Sequence, residues 1–125
     1  MQNIPNTSMY QEEILDLYKH PLNYGTLEKP THKKTEFNPL CGDQITIYLI
    51  VENGKIQKIK FECQACAICT AAASLLTEKI KNKPVKNVEQ MSLKDIEKEI
   101  GIKIISTRIK CALLPLEVVK GALKE

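Results

Sequence analysis

The sequence predicts an α+β fold in which a three-stranded antiparallel meander is covered by helices. Three observations carry that prediction. Residues 44–51 alternate, placing Ile45, Ile47, Leu49 and Val51 on one face. Asn53-Gly54 then supplies the dipeptide that best tolerates the positive φ angles of a tight hairpin. From Ala67 onward the apolar spacing lengthens from two to the helical period.

The elements follow in order. Residues 9–20 read as an amphipathic helix through Tyr10, Ile14, Leu17 and Tyr18, with Ser8 as its cap, Pro21 after its end and 1–8 as a flexible N-terminus. The stretch 21–34 is rich in Pro, Gly, Asn and Thr and reads as a loop. A short strand around 34–37 precedes the alternating strand, and 55–62 provides the return strand of the hairpin. A hairpin alone is marginal in water, so helices must cover its apolar face. Ile68, Ala72, Leu75, Leu76 and Ile80 form a helical stripe that Lys81, Asn82 and Pro84 end. Ser92 and Asp95 resemble a capping box opening a helix over 92–100, with Gly101 suited to its C-terminal stop. The last segment, from Ser106, is apolar, and Pro115 within it predicts a helix starting just after Cys111 or a break near 114.

Composition narrows the function. The 125 residues suit one domain spanning 1–125, and no repeat or low-complexity tract interrupts it. A net charge of +3, with Lys and Glu interleaved, gives no clustered cation patch for nucleic acid. No run approaches the roughly 20 apolar residues of a membrane span, and the N-terminal MQNIPNTSMYQEEIL lacks a signal peptide's apolar stretch. A cytoplasmic location is expected. Five cysteines are an odd set there, better suited to metal, redox or sulfur chemistry than to disulfides.

Those thiols fall at element ends. Cys41 and Asp43 sit in the turn before the long strand, Cys66 where the return strand gives way to a helix, and Cys111 at or near the start of the last helix. Helix N-termini favour thiolates, the form that metal and sulfur chemistry require. Three thiolates and one carboxylate make a tetrahedral zinc site and equally hold a [2Fe–2S] cluster. The carboxylate binds iron more weakly than a thiolate, which suits release.

Asn38-Pro39-Leu40-Cys41-Gly42-Asp43 resembles the NPxCGD motif of the IscU/SufU/NifU N-terminal scaffold family. Phe61 to Cys69 is similar to that family's FxGxGCxIS segment, and Arg108 to Pro115 to the RxKCxxLP block of SufU-like members. The "YKHPLNYG" end of the first helix also looks like the family's opening, so the resemblance runs over about 9–123. It implies the IscU/SufU-like α+β fold and a non-catalytic scaffold. Such a scaffold takes sulfur from a SufS- or IscS-like cysteine desulfurase, binds iron, assembles a [2Fe–2S] cluster and passes it to apo iron–sulfur proteins or carriers. The alternative it implies is a zinc-containing sulfur acceptor of the SufU type, with Cys111 or Cys66 carrying persulfide. Carried over by position, the ligands are Cys41, Asp43, Cys66 and Cys111.

Several positions depart from the family pattern. Lys110 replaces the His that precedes the third cysteine in IscU, which shifts weight onto Asp43 as the fourth ligand. Lys110 has two readings, as a charge that favours the Cys111 thiolate or as a solvated side chain. The interval from Cys66 to Cys111 is short, as in IscU. Cys63 and Ala65 replace two glycines, and Cys69 replaces a serine. The pair Cys63 and Cys69 reads either as auxiliary thiols that receive persulfide or as small packing residues, and the second reading is preferred.

Rival functions fit less well. The bacterial ferredoxin run C-x2-C-x2-C-x3-C-P fails at its end, where Ala73 and Ser74 stand. A cysteine-based enzyme needs a base, and His20 and His32 lie in no motif beside a thiol. A purely structural zinc module is usually closed by Cys and His alone.

Overall fold

The structure is a computed structural model describing residues 4–40, 42–101, 104 and 106–124, with side chains described from Glu12 onward except at 107. Helix α1 (Ile4–Lys19) leads into an irregular stretch and then three strands, β1 (His32–Asn38), β2 (Asp43–Glu52) and β3 (Lys55–Gln64). Helices α2 (Ala67–Ile80), α3 (Val85–Glu89) and α4 (Leu93–Ile100) follow, then a 3-10 turn (Ser106–Arg108) and α5 (Ile109–Leu123). The strands lie in the order β1-β2-β3, each pair antiparallel, which is the predicted meander.

The β2–β3 hairpin closes at Asn53 (φ 54°) and Gly54 (φ 74°), the left-handed pair that a two-residue turn demands. The register then slips by one residue between Ile50 and Val51, leaving Gln57 unpaired in β3. That bulge puts Ile56 on the same buried face as Ile59 and Phe61, despite the odd spacing. With Ile45, Ile47 and Leu49 they form the sheet's apolar side, each at most 2% exposed.

Helix α5 lies over β1 and β2, α2 packs beside it and against β3, and α1 and α4 close over α2. Because α2 has neighbours on several sides, Ala71, Ala73, Thr70, Ser74 and Thr77 are buried along with the expected Ala72, Leu76 and Ile80. Its buried hydroxyls are matched: Thr77 Oγ1 bonds the Ala73 carbonyl (2.8 Å), and Ser74 Oγ accepts the Leu22 N–H (3.2 Å).

Helix α1 begins at Ile4, so Ser8 lies inside it and does not cap it. Of its expected stripe, Ile14 and Leu17 are half-buried, whereas Tyr18 is exposed. Ser92 N–H donates to Asp95 Oδ2 (2.8 Å) at the start of α4, and Gly101 (φ 89°) ends it, as expected. Helix α3 was not anticipated: five residues between Pro84 and Gln90 are too few to show a period.

The largest correction concerns α5. It starts at Ile109, ahead of Cys111, and runs unbroken through Pro115. A proline this near the N-terminus removes only the hydrogen bond to the Cys111 carbonyl. Against that loss stand eight buried residues, from Cys111 to Ala122, along the same helix.

Candidate metal centre

Three chain segments meet at the end of the sheet where β2 begins. The first is the β1–β2 turn. Asn38 Oδ1 accepts the Leu40 N–H (3.0 Å), the Asn38 carbonyl accepts the Gly42 N–H (2.8 Å), and Gly42 takes φ 75°. This closure delivers Asp43 as the first residue of β2, with 2% of its surface exposed. Cys41, the predicted ligand within the turn, lies outside the described residues.

The second segment is the β3–α2 junction. Cys66 is the residue before the helix, in extended conformation (φ −69°, ψ 168°). Its N–H donates to Asp43 Oδ1 (3.0 Å), and its Sγ lies 3.5 Å from Asp43 Oδ2. The carboxylate therefore sits against the positive end of α2, where a negative charge is favoured. Thr70, one turn along, donates both its N–H (3.0 Å) and its hydroxyl (3.1 Å) to the Cys66 carbonyl, which rigidifies the junction.

The third segment is the first turn of α5, which brings in Cys111 at 2% exposure. One ligand atom from each of Asp43, Cys66 and Cys111 lies within 4.8 Å of the other two. Residues far apart in sequence thus converge as the element ends suggested. Two sulfurs and a carboxylate oxygen at this separation form an incomplete tetrahedron with the chemistry of a zinc or iron–sulfur site.

Arg108 is the residue that the sequence reasoning passed over. Its exposed guanidinium hydrogen-bonds Cys111 and lies in the field of Cys66 and Asp43, and these negative groups hold its own pKa above the usual arginine value. A fixed cation here favours the thiolate form of its neighbours. The available signal was its spacing of three residues before Cys111 in a helical segment. Lys110, the cation weighed for that role, is exposed and lines a groove with Glu36 and Glu117.

The other two cysteines differ from each other. Cys69 is fully buried in the core, and burial first, then the charges of Asp43, Cys63, Cys66 and Cys111, push its thiol strongly up, so it stays protonated. Cys63 is half-buried on β3, its Sγ 3.4 Å from Thr70 Oγ1. Burial also pushes the Cys63 thiol up, opposed by the Thr70 hydrogen bond and helped by the charges of Asp43 and Cys66. His20 is exposed, and His32 lies on β1 with its Nδ1 2.9 Å from Thr31 Oγ1; neither belongs to the converging set.

A meander and two helix starts that focus thiols and a buried carboxylate on one corner define a metal- or sulfur-handling α+β domain. The chain belongs to the NifU-like N terminal domain family, whose model matches residues 9–125. It is 35% identical to the iron-sulfur cluster assembly scaffold protein IscU of Thermotoga maritima, an alignment covering 94% of each chain. It is 32% identical to the zinc-dependent sulfurtransferase SufU of Bacillus subtilis, over 94% of this chain and 92% of that one. Among solved structures it is similar to one from Fervidobacterium islandicum AW-1, described as a candidate iron-sulfur cluster assembly scaffold protein for the SUF system. The TM-score is 0.75 at 29% identity, covering 90% of this chain and 94% of the other. No helix among the described residues is long and apolar enough to cross a membrane.

Proposed function

We propose that this chain is an iron–sulfur cluster assembly scaffold that holds its cargo on Cys41, Asp43, Cys66 and Cys111. The observation that carries the reading is the convergence of Asp43, Cys66 and Cys111 ligand atoms within 4.8 Å. The turn from Asn38 to Asp43 sets Cys41 two residues from Asp43 in sequence, close enough to supply the fourth ligand. The cargo is a [2Fe–2S] cluster built from iron and from sulfur supplied by a cysteine desulfurase. A buried carboxylate, harder and weaker toward iron than a thiolate, makes the site one from which cargo can leave for an apo-protein. Arg108 offsets the negative charge of two thiolates and a carboxylate at a corner otherwise hard to keep ionised. Leu40 and Phe37, 77% and 55% exposed beside the turn, offer apolar surface on which a partner can seat.

A second reading is favoured by one observation: the donor set is equally that of zinc, and a relative of comparable identity is named a zinc-dependent sulfurtransferase. In that reading zinc is held by the same four residues and supplies a fixed positive charge that keeps their thiols deprotonated. The chain's own part is then to present Cys111 or Cys66 to the sulfur donor, with Arg108 beside Cys111.

Anaerobic purification with metal analysis and a visible spectrum separates the two, followed by reconstitution with iron, L-cysteine and a cysteine desulfurase. The scaffold reading expects a labile visible chromophore with two iron and two sulfide per cluster, lost in Cys41→Ala, Cys66→Ala and Cys111→Ala. Tightly held zinc with persulfide and no chromophore selects the second reading. Full metal content in all three variants overturns both.

A further inference from the structure

Cys63 is the reactive group that the proposed function leaves unused. It stands two residues before the site's own Cys66, in Cys63-Gln64-Ala65-Cys66. Cys63 ends β3 and Cys66 precedes α2, so the two bracket a strand-to-helix corner. One hydroxyl ties them together: Thr70 Oγ1 donates to the Cys66 carbonyl (3.1 Å) and so receives the Cys63 thiol hydrogen, Sγ to Oγ1 being 3.4 Å. The backbone at Cys63 is held from the other side. Tyr24 Oη accepts the Cys63 N–H (3.3 Å) and donates to the Cys63 carbonyl (3.2 Å), in the chain that seals the outer edge of β3. Cys63 also lines two surface grooves, one shared with Gln44 and Glu62 and the other with Tyr18 and Thr70. Neither is lined by Asp43, Cys66 or Cys111, so Cys63 has access to solvent outside the converging set. Cys69 cannot take the same part, being fully buried in the core.

We infer that Cys63 and Cys66 form a built-in dithiol that reduces sulfur delivered to Cys66 as persulfide and releases it as sulfide. This inference rests on the sulfur-accepting role proposed above. A donor persulfide transfers its outer sulfur to Cys66, giving Cys66–S–SH. The Cys63 thiol gives up its proton to water, and its sulfur attacks the Cys66 sulfur. The Cys63–Cys66 bond forms, the bond to the outer sulfur breaks, and the electron pair of that bond leaves with HS⁻. Overall one sulfane sulfur takes two electrons, one from each of two thiols, and the products are one disulfide and one sulfide. A single turnover needs no other reductant; returning the pair to dithiol needs an external thiol reductant. Attack on a persulfide with so good a leaving group is ordinary thiol–disulfide exchange, and C-x2-C is a spacing that closes a disulfide ring readily.

The test uses the full, reduced chain in anaerobic buffer without free thiol. It is charged with sulfur from a cysteine desulfurase and a stoichiometric amount of L-cysteine, then separated from both. Wild type is expected to release one equivalent of sulfide and to acquire a Cys63–Cys66 cross-link, mapped by mass spectrometry of the peptide. Cys63→Ser is expected to keep one added sulfur on Cys66 and to release sulfide at least about tenfold more slowly, because the attacking sulfur is gone. Cys69→Ser should match wild type. The inference is overturned if Cys63→Ser releases sulfide at the wild-type rate, if wild type holds stable persulfide with no cross-link, or if the cross-link uses another cysteine. No added sulfur on any cysteine of either chain counts instead against the sulfur-accepting role, and this inference falls with it.

Discussion

Strand β2 is bounded by two turns that solve different problems. At its far end Asn53 and Gly54 reverse the chain in two residues, both at positive φ. That turn is then tied down by backbone alone, with the Gly54 carbonyl accepting the Val85 N–H (2.8 Å). At the near end the chain takes four residues to pass from Asn38 to its partner Asp43. There a side chain, Asn38, organises the loop, Leu40 stands 77% exposed, and a carboxylate is buried to 2% beside two thiols. Burying a carboxylate costs several kcal/mol unless charges and donors compensate. The far turn serves only the fold. The near turn accepts an unfavourable charge in order to place it, and such local costs mark sites where chemistry is done.

The largest expected effect removes what both turns depend on. Phe61 is fully buried at the centre of β3, and Phe61→Ala should cost about 3–5 kcal/mol, read as a lowered denaturant midpoint with near and far turns unfolding together. Two separate transitions would show that the site corner is an independent unit.

Next is the carboxylate itself. Asp43→Ala should weaken metal binding by about 100-fold or more, measured by competition with a chelator, since it deletes a ligand and the acceptor for the Cys66 N–H. In the metal-free chain the same change removes a buried charge, so stability should shift far less than affinity. Unchanged affinity would leave Asp43 with a structural role only.

The two turn glycines give the sharpest contrast. Gly42 and Gly54 have φ 75° and 74°, and a Cβ added at either meets nothing within 4 Å. Gly42→Ala and Gly54→Ala should therefore destabilise alike, by about 1 kcal/mol of left-handed strain. Only Gly42→Ala should also lower metal affinity. Equal metal affinity in both variants would mean that the near turn does not position the site.

The smallest effect lies in alkaline solution. The Cys69 thiol is held above its ordinary 9.0 chiefly by burial. The native chain therefore keeps a proton that the unfolded chain loses, and stability is full below pH 9 and drains as pH rises beyond it. Cys69→Ala should show a shallower alkaline decline than wild type, and native Cys69 should resist alkylation at neutral pH while Cys63 reacts.

Much of this was legible because each feature had a local cause. The Asn-Gly hairpin, the Ser92–Asp95 cap and the Gly101 stop are each set by residues within a few positions of one another. The clustering of Asp43, Cys66 and Cys111 was legible as well, because each stands at the end of an element whose neighbour was already predicted. What escaped depended on tertiary packing. Pro115 reads locally as a break, yet burial along both flanks of α5 carries the helix through it. Ser8 reads as a cap, yet the helix continues back to Ile4. Lys110 adjoins Cys111 in sequence, but successive helical residues point in different directions, and it is Arg108, three residues earlier, that reaches the sulfur.

The central claim is that three thiolates and one carboxylate share one metal. X-ray absorption at the zinc edge of the zinc-loaded chain tests it most directly. The account predicts a first shell of three sulfurs near 2.3 Å and one oxygen near 2.0–2.2 Å, about the distances usual for such ligands, with the oxygen lost in Asp43→Ala. A shell of four sulfurs, with Cys63 or Cys69 in place of Asp43, or a shell unchanged by Asp43→Ala, would contradict it.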